Sequence, residues 1–234
     1  MPEQIPGHGK ITSGIDSNTL VERTLEFVRE ELPKWRDDPE RITEKSEERL
    51  NAQLCKYLEV ASRRHFPMIY FHHEEKQTGI RRVDVSALPS EGMFVGATYH
   101  SIYNPFIVFE GKRLPPPADQ SNRAREYVTG GKEKSGGIQR FKLGLHGAKH
   151  GIAAMVGYVQ EGEPRDWFKN INCWICDLAK ISALGEEKWV SEEQLVDFAE
   201  DAPKRIVRCS SLHPRTGEVV SNTIQLQHLW VDMK

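Results

Sequence analysis

Three ionisable residues, Asp84 in RRVDVSAL and Glu110 and Lys112 in FIVFEGKRL, stand at intervals that suit hydrolytic chemistry. A strand alternates its side chains between faces, so Glu110 and Lys112 share one face while Phe109 and Gly111 take the other. If the strand carrying Asp84 lies alongside, the three groups converge. Two carboxylates can hold Mg²⁺ or Mn²⁺ through oxygen, with water and a substrate phosphate completing the octahedron. A lysine beside them can orient or deprotonate the attacking water, or neutralise charge growing on phosphorus. Metal-assisted phosphodiester hydrolysis uses these parts. A Glu-x-Lys pair is common on solvated strand faces. Here it follows Phe-Ile-Val-Phe, an apolar run suited to a central strand, where a charge is costly unless it is paired or put to use.

The elements that must position these groups are readable from periodicity and punctuation. Residues 1–15 are polar and rich in Gly and Pro, which predicts a loose tail. Asp16 and Ser17 cap a predicted helix to about Leu32, closed by Pro33. Asp38 and Pro39 look like the N-cap and N1 of a second helix, whose apolar face runs Leu50, Leu54, Tyr57, Leu58 and Ala61 and which ends near His65. β-rich runs follow: PMIYFHH, IRRVDVSAL, MFVGATYH and FIVFEGKRL. The polar stretch from Ala118 to Gly137 predicts a mobile loop. A helical pattern then starts at Gly137, AAMVGYVQ reads as a buried strand, an amphipathic helix spans about Arg165 to Ile181, and the C-terminus reads as two strands around a turn at Pro214 and Gly217.

The 234 residues suit one elaborated domain over positions 16–234, with hydrophobic residues at 38% and charged residues at 28%. No run approaches the length of a transmembrane helix, and the N-terminal residues lack the blocks of a signal peptide, so a cytoplasmic protein with no membrane partner is expected. Four scattered cysteines do not make a disulfide framework. The net charge of -2 excludes a uniformly basic nucleic-acid binder. Residues 123–150 nevertheless concentrate Arg123, Arg125, Lys132, Lys134, Arg140, Lys142 and Lys149 against Glu126 and Glu133, a local surface of the kind a polyanion meets.

The order of these features resembles the PD-(D/E)XK, or restriction endonuclease-like, nuclease superfamily. A helix bearing Glu47 precedes a strand with Asp84, then a strand with Glu110-Gly111-Lys112, then a helix with Gln139 and the strand AAMVGYVQ, over about residues 44–160. Val83 replaces the family's proline, and the long step from Asp84 to Glu110 implies an inserted strand or hairpin such as MFVGATYH. The resemblance implies an α/β fold, a mixed sheet flanked by helices, with residues 161–234 as a helix-plus-hairpin extension. It implies Asp84, Glu110 and the Gly111 carbonyl as metal ligands, Lys112 as the water-activating or transition-state lysine, and Glu47 completing the metal shell or positioning a water. Glu48 is a rival for that last role, but Glu47 lies on the face of Leu50 and Leu54. Gln139, Arg140, Lys142 and Lys149 would contact nucleic acid, double-stranded DNA by family precedent, and restriction or anti-phage defence would be a natural setting. With no sequence-reading module, control is expected from a regulatory protein partner or from homo-oligomerisation. A nuclease fold turned catalytically inactive binding or scaffolding subunit is the alternative.

Cys173-x-x-Cys176 with Cys209 and His213 has the residue types of a zinc site. The first pair lies in an amphipathic helix, however, where cysteine acts as a small hydrophobe. His146 and His150 either join the phosphate-contacting surface or flank turns at Gly147 and Gly151.

Overall fold

The computed structural model describes residues 17–77, 81–95, 98–116, 123–181 and 188–234. The expected tail at 1–15 and the capping Asp16 lie outside them. Helix α1 (Ser17–Arg36) runs through Pro33 and ends at Arg36: the proline lacks its N–H and crowds the carbonyl of the preceding turn, a cost offset by the burial of Leu32 and Trp35 on either side. Helix α2 (Glu47–His65) begins eight residues later than the Asp38-Pro39 pair predicts. Asp38 instead accepts the backbone N–H of Glu40 at 2.9 Å, a local turn that imitates a cap without starting a helix.

Strands β1 (Ile69–Lys76) and β2 (Arg82–Pro89) pair antiparallel from Ile69↔Pro89 to Lys76↔Arg82. The described residues of MFVGATYH make the inserted hairpin that the long step from Asp84 to Glu110 implies, β3 (Met93–Val95) paired antiparallel with β4 (Thr98–His100) outside the main sheet. Then come β5 (Ile107–Leu114), α3 (Gly137–Lys142), β6 (Ile152–Val159), α4 (Pro164–Ile181), β7 (Val196–Asp201), β8 (Ile206–Pro214) and β9 (Thr223–Asp232). The main sheet is mixed and seven-stranded, ordered β1-β2-β5-β6-β9-β8-β7. Strands β5, β6 and β9 run parallel at its centre, which explains the unbroken apolar IAAMVGYV of β6, buried on both faces.

Helices α1 and α2 cover one face through Leu20, Val28, Leu32, Trp35, Leu50, Leu54 and Leu58. On the other face α3 and α4 contribute Ile138, Phe141, Ile171 and Ile175. The C-terminal hairpin is therefore no appendage, since β9 inserts beside β6 and extends the same sheet. The described part of the expected mobile loop, residues 123–137, is also anchored, with Tyr127 and Val128 buried.

Candidate functional site

The β2–β5 ladder joins only three residue pairs and ends at Val85↔Phe109. Past this point the strands separate, leaving β5 with a stretch of edge facing a gap. Two carboxylates take the places a neighbouring strand would fill. Asp84 Oδ2 accepts the Gly111 N–H at 2.8 Å, and Glu47 Oε2 accepts the Arg113 N–H at 3.2 Å. Residues 111 and 113 present their N–H groups to the same edge, and in a strand a residue's C=O shares the edge of its N–H. The Gly111 carbonyl is thus directed toward the same gap.

Each group arrives there for a local reason. Glu47 opens α2 on the stripe that carries Leu50 and Leu54, and so reaches the sheet. One turn later Asn51, which the sequence did not single out, accepts the Tyr158 hydroxyl at 2.7 Å. A Cβ on Gly111 would lie 1.9 Å from Asn51 Oδ1, so the middle residue of Glu-Gly-Lys is fixed by the approach of α2.

Lys112 Nζ bonds Glu47 Oε1 at 2.6 Å and stands 3.2 Å from Glu110 Oε1. That same Glu110 oxygen takes Arg140 Nη1 at 2.7 Å. On the other side His146 Nδ1 lies 3.0 Å from Glu110 Oε2, yet out of line for a hydrogen bond. Glu110 Oε2 and both His146 ring nitrogens are buried and make no hydrogen bond. Such orphans are rare among buried polar groups.

The titration behaviour follows from this crowding. Burial, and then the charge of Glu110, push the Asp84 carboxyl well above its ordinary value, against the opposing pull of Lys112 and the Gly111 N–H. Burial would likewise raise Glu110, but Lys112, His146 and Arg140 hold it well below the usual carboxylate range. Burial works against the Lys112 ammonium too, and Glu47, Glu110 and Asp84 more than reverse it, so Lys112 stays protonated.

Among the described residues no three His, Cys, Asp or Glu side chains form a ready-made metal cage. What the gap does offer is two carboxylates, a backbone carbonyl and an unspent buried acceptor in Glu110 Oε2. This partial, oxygen-only set fits a hard divalent cation that keeps several waters.

The sequence-derived nucleic-acid contacts divide. Arg140 joins the site, and Lys149 is exposed as expected. Gln139 is a correction: its buried amide accepts from Gly130 N and Gly136 N and donates to Gly131 O, bracing the preceding loop. Lys142 is another, because its ammonium is buried 2.5 Å from Glu193 and 4.6 Å from the Trp189 ring centroid.

Nor are the four zinc-type residues brought together. Cys173 is exposed on α4 while Cys209 is buried on β8. His213 spends Nδ1 on Glu193 at 2.7 Å and Nε2 on Ser211 at 2.7 Å. Ser211 Oγ continues to His228 Nε2 at 2.8 Å, whose Nδ1 meets the Tyr127 hydroxyl at 2.8 Å. His146 as a partner of Glu110 carries no sequence signal, because a buried contact between residues 36 apart has no local period. No helix of the described chain is long and apolar enough to cross a membrane. No family model, no curated protein and no solved structure matches this chain.

Proposed function

We propose that the chain is a divalent-metal-dependent phosphodiesterase that cleaves nucleic acid, double-stranded DNA first among substrates. The observation that supports this most is the convergence of Asp84, Glu110, Lys112 and Glu47 where β2 leaves β5, with Gly111 N–H and Arg113 N–H bound by carboxylates in place of a strand. Asp84, Glu110 and the Gly111 carbonyl would hold Mg²⁺ or Mn²⁺, which when bound supplies charge neutralisation and a more acidic water. Lys112, kept as an ammonium, serves as a donor to the charge that develops on the phosphoryl oxygens and not as a general base. Glu47 aims that ammonium and fixes the β5 backbone beside it. Arg140 is the most exposed of the cations around Glu110 and is placed to meet a phosphate.

The second reading, a nuclease fold acting as a binding or scaffolding subunit, draws support from the ion pairs that Arg140 and Lys112 already make with the buried Glu110. A supercoiled-plasmid assay separates the two. Nicking with Mg²⁺ or Mn²⁺, stopped by EDTA, is the expected result. Intact plasmid with both metals, from protein that binds the DNA, favours the scaffold.

A further inference from the structure

The loop that carries His146 to Glu110 continues into a cleft of about 660 Å³. The junction is fixed by the Gly147 N–H, which donates to Gln77 Oε1 at 3.0 Å. The cleft is built from the end of that loop, the end of β1, the β4 strand and the 103–105 turn, and six of its residues set its chemistry: Lys76, Tyr99, His100, Tyr103, Asn104 and Lys149.

Three features point to a ligand. Phe94, Tyr99, Ile102 and Tyr103 are large hydrophobic residues left exposed within ten positions, Tyr103 at 79%. Phe94 meets Tyr99 edge-on at 5.4 Å, and the Tyr70 hydroxyl donates to the Ile102 carbonyl, contacts that hold the Tyr99 ring and the backbone next to Tyr103 in place at the cleft. Next, His100 Nδ1 is buried at the cleft without a hydrogen bond, a polar atom still lacking its partner. Finally, Lys76 and Lys149 are both exposed at the mouth and outnumber the one carboxylate of the lining, Glu75, which lies 3.0 Å from His72 Nδ1, favouring an anion over a neutral aromatic guest.

Flat apolar rims with a polar atom inside and cations at the opening match a nucleobase on a phosphodiester backbone. Each base has a face to stack, an edge to hydrogen-bond and a phosphate to neutralise. The volume lies within the range of small-ligand pockets and has room for one nucleotide. We infer that this cleft holds an unpaired base of a nucleic-acid strand, stacked on Tyr103 with its phosphate near Lys149, beside the Glu110 site. The inference rests on the nuclease reading for its choice of ligand, but its test needs no cleavage.

The probes are two fluorescein-labelled single-stranded DNA oligonucleotides of equal length, one normal and one abasic at its central positions. Binding is followed by anisotropy in EDTA. The full chain should prefer the base-bearing probe by about tenfold, the gain from one or two stacked bases. Tyr103→Ala should abolish that preference, and Tyr103→Phe, which keeps the ring, should retain it. Lys149→Ala should weaken both probes alike and reduce the salt slope by about 0.7. Equal affinity of the unaltered chain for the two probes overturns the inference, as does a preference that survives Tyr103→Ala. A free mononucleotide that competes as well as the oligonucleotide would reassign the cleft and overturn the strand assignment. A base preference in a chain that never nicks plasmid refutes the nuclease reading alone.

Discussion

Glu110 and Glu193 are both buried, at 0% and 1% exposure, and each meets one lysine and one histidine, yet their surroundings are arranged to opposite ends. Around Glu193 every proton has a place to go. The Trp230 indole can only donate, and it donates to the Tyr127 hydroxyl at 2.8 Å. Tyr127 is then free to give its own proton to His228 Nδ1, the arrangement that puts the proton of neutral His228 on Nε2, facing Ser211. Ser211 passes its hydrogen to His213 Nε2, and His213 Nδ1–H ends on Glu193, where Lys142 and the Val190 N–H also donate. No atom of this chain from Trp230 to Glu193 is left over. Around Glu110 the count fails: cations crowd one oxygen while the other, with both nitrogens of His146, makes no hydrogen bond. A satisfied buried network gives rigidity, and an unsatisfied one is where a ligand finds work to do.

That contrast sets what substitutions should do. The largest effect on catalysis belongs to Lys112→Ala, which should lower plasmid cleavage by about two to four orders of magnitude in protein shown to be folded, as befits loss of one electrostatic catalytic group, with some stability lost as well because the buried ammonium faces Glu47 and Glu110. Wild-type cleavage rates in that variant would remove Lys112 from the site. Glu193→Ala should act on stability alone. Taking the carboxylate away from buried Lys142 and His213 should cost about 3–5 kcal/mol in urea unfolding, and a loss below about 1 kcal/mol, the size of an exposed pair, would deny the network its structural role.

At the site itself, function and stability should part company. Asp84 is held above its ordinary pKa by burial and by Glu110, so its charged form destabilises the fold near neutral pH. Asp84→Asn should therefore stabilise the metal-free protein by on the order of 1 kcal/mol while weakening Mn²⁺ binding in calorimetry. Glu110→Gln should weaken Mn²⁺ as well, and Glu47→Gln less, since Glu47 acts through Lys112. Unchanged metal affinity in both the Asp84 and Glu110 variants would discard the metal assignment.

The most gradual effect is spread over pH. Burial pushes His228 down to about 3 and His150 down to about 4. Both are neutral in the fold and take up protons near pH 6.5 once unfolded, so the unfolded chain binds more protons as pH falls below that value. Stability should drop by roughly 1.4 kcal/mol per pH unit for each residue between about pH 6.5 and 4. Urea midpoints that stay flat from pH 7 to 5 would contradict the burial of these rings.

Much of the site was legible because it is written in short-range pattern. Alternation along β5 pairs Glu110 with Lys112, and the helical stripe of Leu50 and Leu54 selects Glu47 over Glu48. The errors have physical origins too. Strand β7, VDFAED, was missed because an exposed edge strand carries no apolar alternation. Lys142 and Gln139 read as surface because their partners are settled by tertiary packing: Glu193 lies 51 residues away, and the loop amides answer Gln139 only once Tyr127 and Val128 are buried. The inward position of β9 was equally hidden, since a strand's own residues do not name its neighbours.

That position of β9 has a kinetic side. Residues 223–232 pair in parallel with 152–159 across some seventy intervening residues, and β5, with its site residues, rests on β6. Until β9 docks, β6 carries a bare, wholly apolar edge, and contacts of such long sequence separation form late. The expected signature is slow refolding with a concentration-dependent loss of yield, as half-built sheets from different molecules meet before each finds its own last strand.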